Sequence, residues 1–403
     1  MKLQRNSYEY YFYAAFAGLL SVASIIMLFA LDGSAGGDMI GSWRLLAQLA
    51  RGGVNPYDYI GASELPEVLK DIGTADYSYN VTPWGLIIGN IYYFGFLNLN
   101  TAIKSFLSLY AVSFTLLLIC LYYKAEKIYD DKRFVLLLLL IAIGSPNFTV
   151  GIHTRNVSGI LSCMLLIAWI ICDDHPIITG IILGIVMTKP QEGGLICFAF
   201  LLTKRFLPLI IGAVIDIAAW FYMSVLTKTS MIALLQEFFG RFSVAGGENR
   251  NSGLFTLVFE NPTLATICSM TAGIILVTLF TRYYSAHRKS DIPEDFTLCF
   301  AYMFSPIWCY STNAAHYILL LPTIVCLYIM MKSEKIYQRL FWFGVSFYLM
   351  WGEILRSKQL FAFIMGYMPE KYTRNLIASC YDVVLIIIAF IILFSLTSRK
   401  QKN

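Results

Sequence analysis

Few side chains in this 403-residue chain are equipped for chemistry, and those few sit at short polar breaks between long apolar runs. Asp38 follows Gly36 and Gly37 and precedes Met39-Ile40-Gly41-Ser42-Trp43, so the backbone can bend sharply and leave the carboxylate accessible. It lies where the first apolar run surfaces, well placed to act on lipid-borne substrates; the plain alternative is a solvated loop acid like Glu64 or Asp71. Lys189 opens the knot Lys189-Pro190-Gln191-Glu192, and an ammonium in such apolar surroundings needs an anion. Either Glu192, three residues on, or a phosphate would serve. His153 and Arg155 share a very short turn and could simply cap it. His316 opens a late apolar run behind Ser311-Thr312-Asn313, where a hydrogen-bonded structural role is the ordinary reading. Asp216, inside the apolar run around Trp220, is costly in hydrocarbon unless it faces the bundle interior.

Composition decides what holds these groups. The chain is 58% hydrophobic and only 14% charged, with a mean hydropathy of +0.66. That is too apolar for a soluble domain and indicates an all-α polytopic membrane protein. The nine cysteines lie in or beside apolar runs with no CxxC and no metal-type spacing, so they read as small buried hydrophobes. No metal site and no nucleic-acid partner is expected.

About 20 apolar residues cross a bilayer. Runs at 11–31, 105–123, 134–150, 157–172, 207–226, 264–284, 296–310, 316–331, 340–355 and 377–396 meet or approach that length. Two shorter pieces, 176–188 and 193–203, flank the Lys189 knot; paired short helices meeting at a polar break usually line a cavity, because unpaired backbone cannot face lipid. Segment 81–97 is apolar but opens with Pro83-Trp84. If it lies along the outer surface, the basic stretches 124–133, 204–205, 282–289, 332–339 and the tail all fall inside, as the positive-inside rule requires. It is therefore expected to be a juxtamembrane helix, which leaves about twelve crossings and puts Asp38, His153, Arg155, Lys189 and His316 on the outer side. Residues 32–104 then form the first outer loop, with a helix at 39–50 ended by the Gly52-Gly53 turn and Tyr57 as an interface anchor. Residues 227–261 form a second outer loop, a surface helix at 231–239 followed by a flexible flap at 245–253. The whole of 1–403 reads as one transmembrane domain. A cleaved leader is disfavoured because the first apolar run is too long for a signal core.

The order of these features resembles a known family. A first span is followed by an outer Gly-Asp, by Gly53-Val54-Asn55-Pro56-Tyr57 and by a Pro-initiated surface helix. Then come Gly151 to Asn156, the run Ile178-Thr179-Gly180-Ile181-Ile182-Leu183-Gly184 leading to Lys189-Pro190, Asn251-Ser252, and His316-Tyr317. Together they look like the glycosyltransferase-C superfamily, and within it the family 87 type that uses polyprenyl-phosphate mannose. The resemblance implies a GT-C fold. It implies that Asp38 is the catalytic base, that His316 lies near the reacting centre, and that Lys189 lies by the donor phosphate with Arg155 and His153. Asn55, Tyr57, Asn156, Gln191 and Asn251 are then expected to contact substrate.

The implied chemistry suits these residue types. A lipid-phosphate sugar carries its own leaving group, so no cofactor, nucleotide loop or metal pair is called for. An inverting transfer needs one carboxylate to take the acceptor proton, and cations in a low-dielectric pocket to meet the charge on the departing phosphate. The expected partners are a polyprenyl-phosphate-sugar donor, a glycolipid or glycan acceptor, and membrane lipids. The expected site is the outer face of a bacterial cytoplasmic membrane. Two other classes compete: a transporter or flippase of lipid-linked saccharides, which should show pseudo-repeated halves, and a non-catalytic partner in polysaccharide assembly.

Overall fold

The computed structural model describes residues 43–58, 82–91, 98–128, 155–247, 254–256, 258–259, 261–287, 295–308, 318–331, 335–351 and 371–398, with Ala15, Leu19 and Ser145 singly. All regular structure among them is helical. In chain order the helices are α1 (Leu45–Arg51), α2 (Trp84–Ile91), α3 (Leu99–Ile128), α4 (Val157–Ile171), α5 (Pro176–Val186), α6 (Pro190–Leu202) and α7 (Phe206–Thr227). They continue with α8 (Met231–Gly247), a 3-10 turn at Leu254–Thr256, α9 (Pro262–His287), α10 (Asp295–Trp308), α11 (Leu321–Met331), α12 (Ile336–Trp351) and α13 (Lys371–Ser398). Four are long and apolar enough to cross a bilayer: Thr101–Tyr123, Phe206–Thr227, Thr263–His287 and Cys380–Ser398. Several shorter apolar helices pack beside them. The protein is a polytopic helical membrane protein. The expected first span at 11–31 and the span at 134–150 fall outside the described residues.

Lipid is as apolar as leucine, so helices in a membrane associate by close packing more than by escape from water. The run Gly180-Ile181-Ile182-Leu183-Gly184 shows how. Helix α5 lies along α7, and a Cβ placed on Gly180 would stand 2.6 Å from the Ile211 Cβ and 2.8 Å from the Pro208 carbonyl oxygen. One on Gly184 would stand 2.7 Å from the Ile215 Cγ2. Two bare positions one turn apart let the backbones meet. Gly180→Val is therefore expected to wedge α5 from α7 at a cost of about 1–3 kcal/mol; a thermal midpoint in detergent equal to that of the wild type would contradict this packing.

The main core unites α3, α4, α6 and α9 to α13 around residues such as Phe106, Trp169, Phe200, Phe280, Tyr302 and Leu320. A second, smaller core joins α1, α2, α7 and α8 through Leu46, Tyr57, Leu86, Trp220, Leu234 and Phe238. This second core exists because α1, with seven residues, and α2, with eight, are too short to span and must bury their apolar faces against a longer neighbour. Along α7 the residues Ile210, Val214, Ile217 and Phe221 stay exposed, an apolar stripe suited to lipid.

Two boundaries differ from expectation. Of the polar knot only Lys189 lies in the break between α5 and α6; α6 starts at Pro190 and takes Gln191 and Glu192 into its first turn. Proline at the first helical position has its φ preset and lacks only an N–H that the helix would not use, and glutamate is favoured in a first turn. Helix α8 runs on to Gly247, so residues 245–247, expected to begin the flap, are helical; two glycines at a helix end cost little compared with two in its interior. Residues 248–253 fall outside the described residues.

Candidate active site

The site is built where α5 ends and α6 begins. Backbone N–H groups of Met187, Thr188 and Lys189 turn back on the carbonyls of Leu183, Ile185 and Val186, closing α5 tightly. The last carbonyls of a helix lack partners within it. Here they are met from a distant segment: the Thr82 N–H donates to the Thr188 carbonyl at 2.7 Å, and the Thr82 hydroxyl to the Met187 carbonyl at 2.9 Å. Pro83 and α2 are thereby moored one residue from Lys189.

Helix α4 supplies the second side. Arg155 adopts a left-handed backbone, φ 51°, which swings the chain into the helix. Asn156 is the N-cap, its side chain accepting from the Ser158 N–H at 2.8 Å. The cap sets Ser158 with its hydroxyl toward α6, where it accepts from the Lys189 ammonium at 3.0 Å. Lys189 is only 5% exposed, and its Nζ lies 3.9 Å from the carboxylate of Glu192, which is fully buried. Next to them Gln191 is 4% exposed, and its Oε1 is shielded from solvent with no hydrogen-bond partner. Lining the far side of α4, Gly159 lies under Tyr110 of α3 so closely that a Cβ there would overlap the phenol. The junction thus holds the Lys189 ammonium, paired with Glu192, next to an amide acceptor in dry surroundings.

Asn156 does its capping at a stated cost. Asn156→Ala should lose about 1 kcal/mol of stability, whereas Asn156→Ser should keep most of it because serine caps nearly as well. Thermal unfolding of the two variants in the same detergent separates these outcomes.

A third group of residues belongs to the turn after α1. The Gly53 and Val54 N–H groups reach back to the carbonyls of Ala50 and Leu49, and Gly53 takes φ 74°, which a side chain would resist. Asn55 accepts from the Tyr57 N–H at 3.0 Å and donates through its Nδ2 to Glu237 of α8. Tyr57 is 1% exposed, with its ring 6.0 Å from that of Trp220 and 5.5 Å from that of Phe238. Burial, and then the nearby Asp216 carboxylate, push its hydroxyl well above the usual phenol range. Tyr57 is therefore a buried clasp and not the interface anchor expected from the sequence: aromatic partners on α7 and α8 are close enough to enclose it. Asp216 lies by this second core, near Tyr57 and one turn before Trp220.

Of the residues expected at the site, Lys189, Gln191 and Asn156 come together, with Arg155 beside Asn156 in sequence and half-buried. Asn55 and Tyr57 are held in the second core. Asp38, His153, Asn251 and His316 lie outside the described residues. Ser158 and Thr82 were not anticipated. An asparagine at a helix start followed two residues later by serine signals a cap, but nothing local shows that the serine will meet a lysine 31 positions on.

The family model of glycosyltransferase family 87 matches residues 91–306. The matched region includes Asn156, Ser158, Lys189 and Gln191. No curated protein and no solved structure matches the chain.

Proposed function

The chain belongs to glycosyltransferase family 87 and is a membrane glycosyltransferase, and from that premise we propose that it moves a sugar, mannose by family resemblance, from a polyprenyl-phosphate donor to a glycolipid or glycan acceptor. The observation that carries the donor assignment is the Lys189 ammonium, held nearly dry by Ser158 and Glu192 at a junction of short helices. In a low-dielectric site a preplaced cation stabilises the charge that develops on a departing phosphate far better than it would in water.

In the proposed reaction Asp38 takes the proton of the acceptor hydroxyl as its oxygen attacks the anomeric carbon. The glycosidic bond to phosphate breaks on the opposite face, inverting the centre. Lys189, with Arg155 and His153, meets the polyprenyl phosphate that leaves, and His316 lies by the reacting carbon. Gln191 offers its amide oxygen to a sugar hydroxyl, and Asn251 contacts substrate from the flap. Because the leaving group is already a phosphate ester, neither nucleotide nor metal enters this scheme. The chemistry takes place at the outer face of a bacterial cytoplasmic membrane, where lipid-linked donors and glycolipid acceptors share one leaflet.

The test uses the full chain in lipid nanodiscs with radiolabelled polyprenyl-phosphate mannose and a panel of extracted glycolipids. Labelled glycolipid is expected from this donor and not from GDP-mannose. Transfer from the nucleotide sugar alone would overturn the donor assignment. In sealed proteoliposomes, label carried across the bilayer with no new glycolipid would favour a transporter.

A further inference from the structure

Unsatisfied polar atoms shielded from solvent are rare, and several of one chemical kind at one place ask for a ligand. On the α1–α2 pair the shielded atoms are donors apart from one neutral amide oxygen, Gln48 Oε1. Arg44, at the wide π-type turn that opens α1, has its Nε and Nη1 shielded and without a hydrogen-bond partner. Trp84, the first residue of α2, has its indole N–H in the same condition. Helix α1 packs on α2, and neither helix carries an acidic residue. Burial draws the Arg44 guanidinium below its ordinary range. A guanidinium stays charged all the same, and a neutral hydroxyl would not balance it.

The position of the pair follows from two independent connections to Lys189. Trp43, next to Arg44, is fully buried with its ring 6.0 Å from Phe106 of α3, and on the next turn of α3 Tyr110 covers Gly159, the neighbour of Ser158. Thr82, two residues before Trp84, is bonded to the carbonyls of Met187 and Thr188. Arg44 and Trp84 therefore belong to the same end of the bundle as the Lys189 ammonium, but on separate elements.

We propose that Arg44, assisted by the Trp84 indole, binds a phosphate oxyanion carried by a lipid substrate. A planar fork that presents two N–H groups to one anion fits phosphate oxygens in pairs. The proposal rests on the reading that substrates of this enzyme are lipid-borne. Two sources offer the same chemistry: the monoester of the polyprenyl donor and the headgroup phosphate of a phospholipid acceptor.

Binding to the full chain in nanodiscs would be measured with four probes: farnesyl phosphate and farnesol, dioleoyl phosphatidate and dioleoylglycerol. Wild-type protein is expected to prefer at least one phosphate over its alcohol, and Arg44→Gln to weaken that phosphate by about 10- to 100-fold with no change for the alcohol. Loss confined to farnesyl phosphate assigns the site to the donor; loss confined to phosphatidate assigns it to the acceptor. Arg44→Lys, which keeps the charge and loses the fork, should fall between, and Trp84→Phe should weaken the same phosphate severalfold. These two variants decide the matter if Arg44→Gln does not fold. Unchanged phosphate binding in Arg44→Gln, or in both Arg44→Lys and Trp84→Phe, overturns the site, as does a wild type indifferent to phosphate. The donor assignment fails separately: wild type that binds farnesyl phosphate through Arg44 yet transfers no sugar from any polyprenyl-phosphate donor keeps this site and loses that function.

Discussion

Replacing Asp38 with Asn is expected to remove sugar transfer almost completely while leaving expression and thermal stability as they are. The substitution keeps size and hydrogen-bonding shape but takes away the group that accepts the acceptor proton. General-base catalysis contributes about 10²- to 10⁴-fold in rate, and that is the loss to look for in kcat. The binding of donor should survive, because the proton moves only in the transition state; an interaction made only there lowers kcat and leaves KM alone. The surroundings make the substitution structurally mild. Asp38 follows two glycines in a polar stretch of the sequence, and no apolar periodicity asks for its burial. Single-turnover transfer with saturating donor is the measurement. An Asn variant within about tenfold of wild type would rule Asp38 out as the base, since that lies below the range general-base catalysis supplies.

Lys189→Met is the second large effect, and it separates two roles for one side chain. The ammonium is 5% exposed, donates to Ser158 and faces the fully buried Glu192 at 3.9 Å. Taking one partner from a buried ion pair costs about 3–5 kcal/mol, because the remaining charge loses its compensation. The single variant should therefore be unstable as well as inactive. In Lys189→Met/Glu192→Gln both charges go, so stability should return toward wild type. If Lys189 serves only the fold, transfer returns with it. If it meets the donor phosphate, as proposed, the double variant folds and transfers no better than about one hundredth of wild type, the scale lost when one preplaced electrostatic contact is removed. A folded, active double variant would move the phosphate site elsewhere in the bundle.

Much of this protein is legible before any coordinates. Apolar runs of membrane length require helices, because lipid offers the backbone no hydrogen bonds. The spans realised by α3, α7, α9 and α13 follow from that rule. So do the short helices on either side of Lys189, because a polar knot interrupts two apolar runs too short to span, although the second helix starts three residues earlier than its apolar run. The Gly52-Gly53 turn and the Asn156 cap are similarly local, each set by a residue type whose backbone or side-chain preference acts within a few positions. The positive charge at 189 needed an anion on energetic grounds alone, and Glu192 proved to be within reach.

What folding decided lies in contacts between residues far apart in sequence. Asn55, expected by family resemblance to contact substrate, gives its amide to Glu237, 182 positions away. Tyr57 is enclosed by Trp220 and Phe238, and Thr82 seals the end of α5 across 105 residues. Nothing local in the sequence marks Arg44, whose Nε and Nη1 are shielded from solvent where α1 packs on α2. The reason is physical: hydropathy and turn preference act along the chain, so they can be read from it. Whether a polar side chain ends beside a partner, in water or facing an open cavity depends on which helices pack together, and in a membrane that choice rests on shape, on bare glycines such as Gly180 and Gly184, and on few polar contacts.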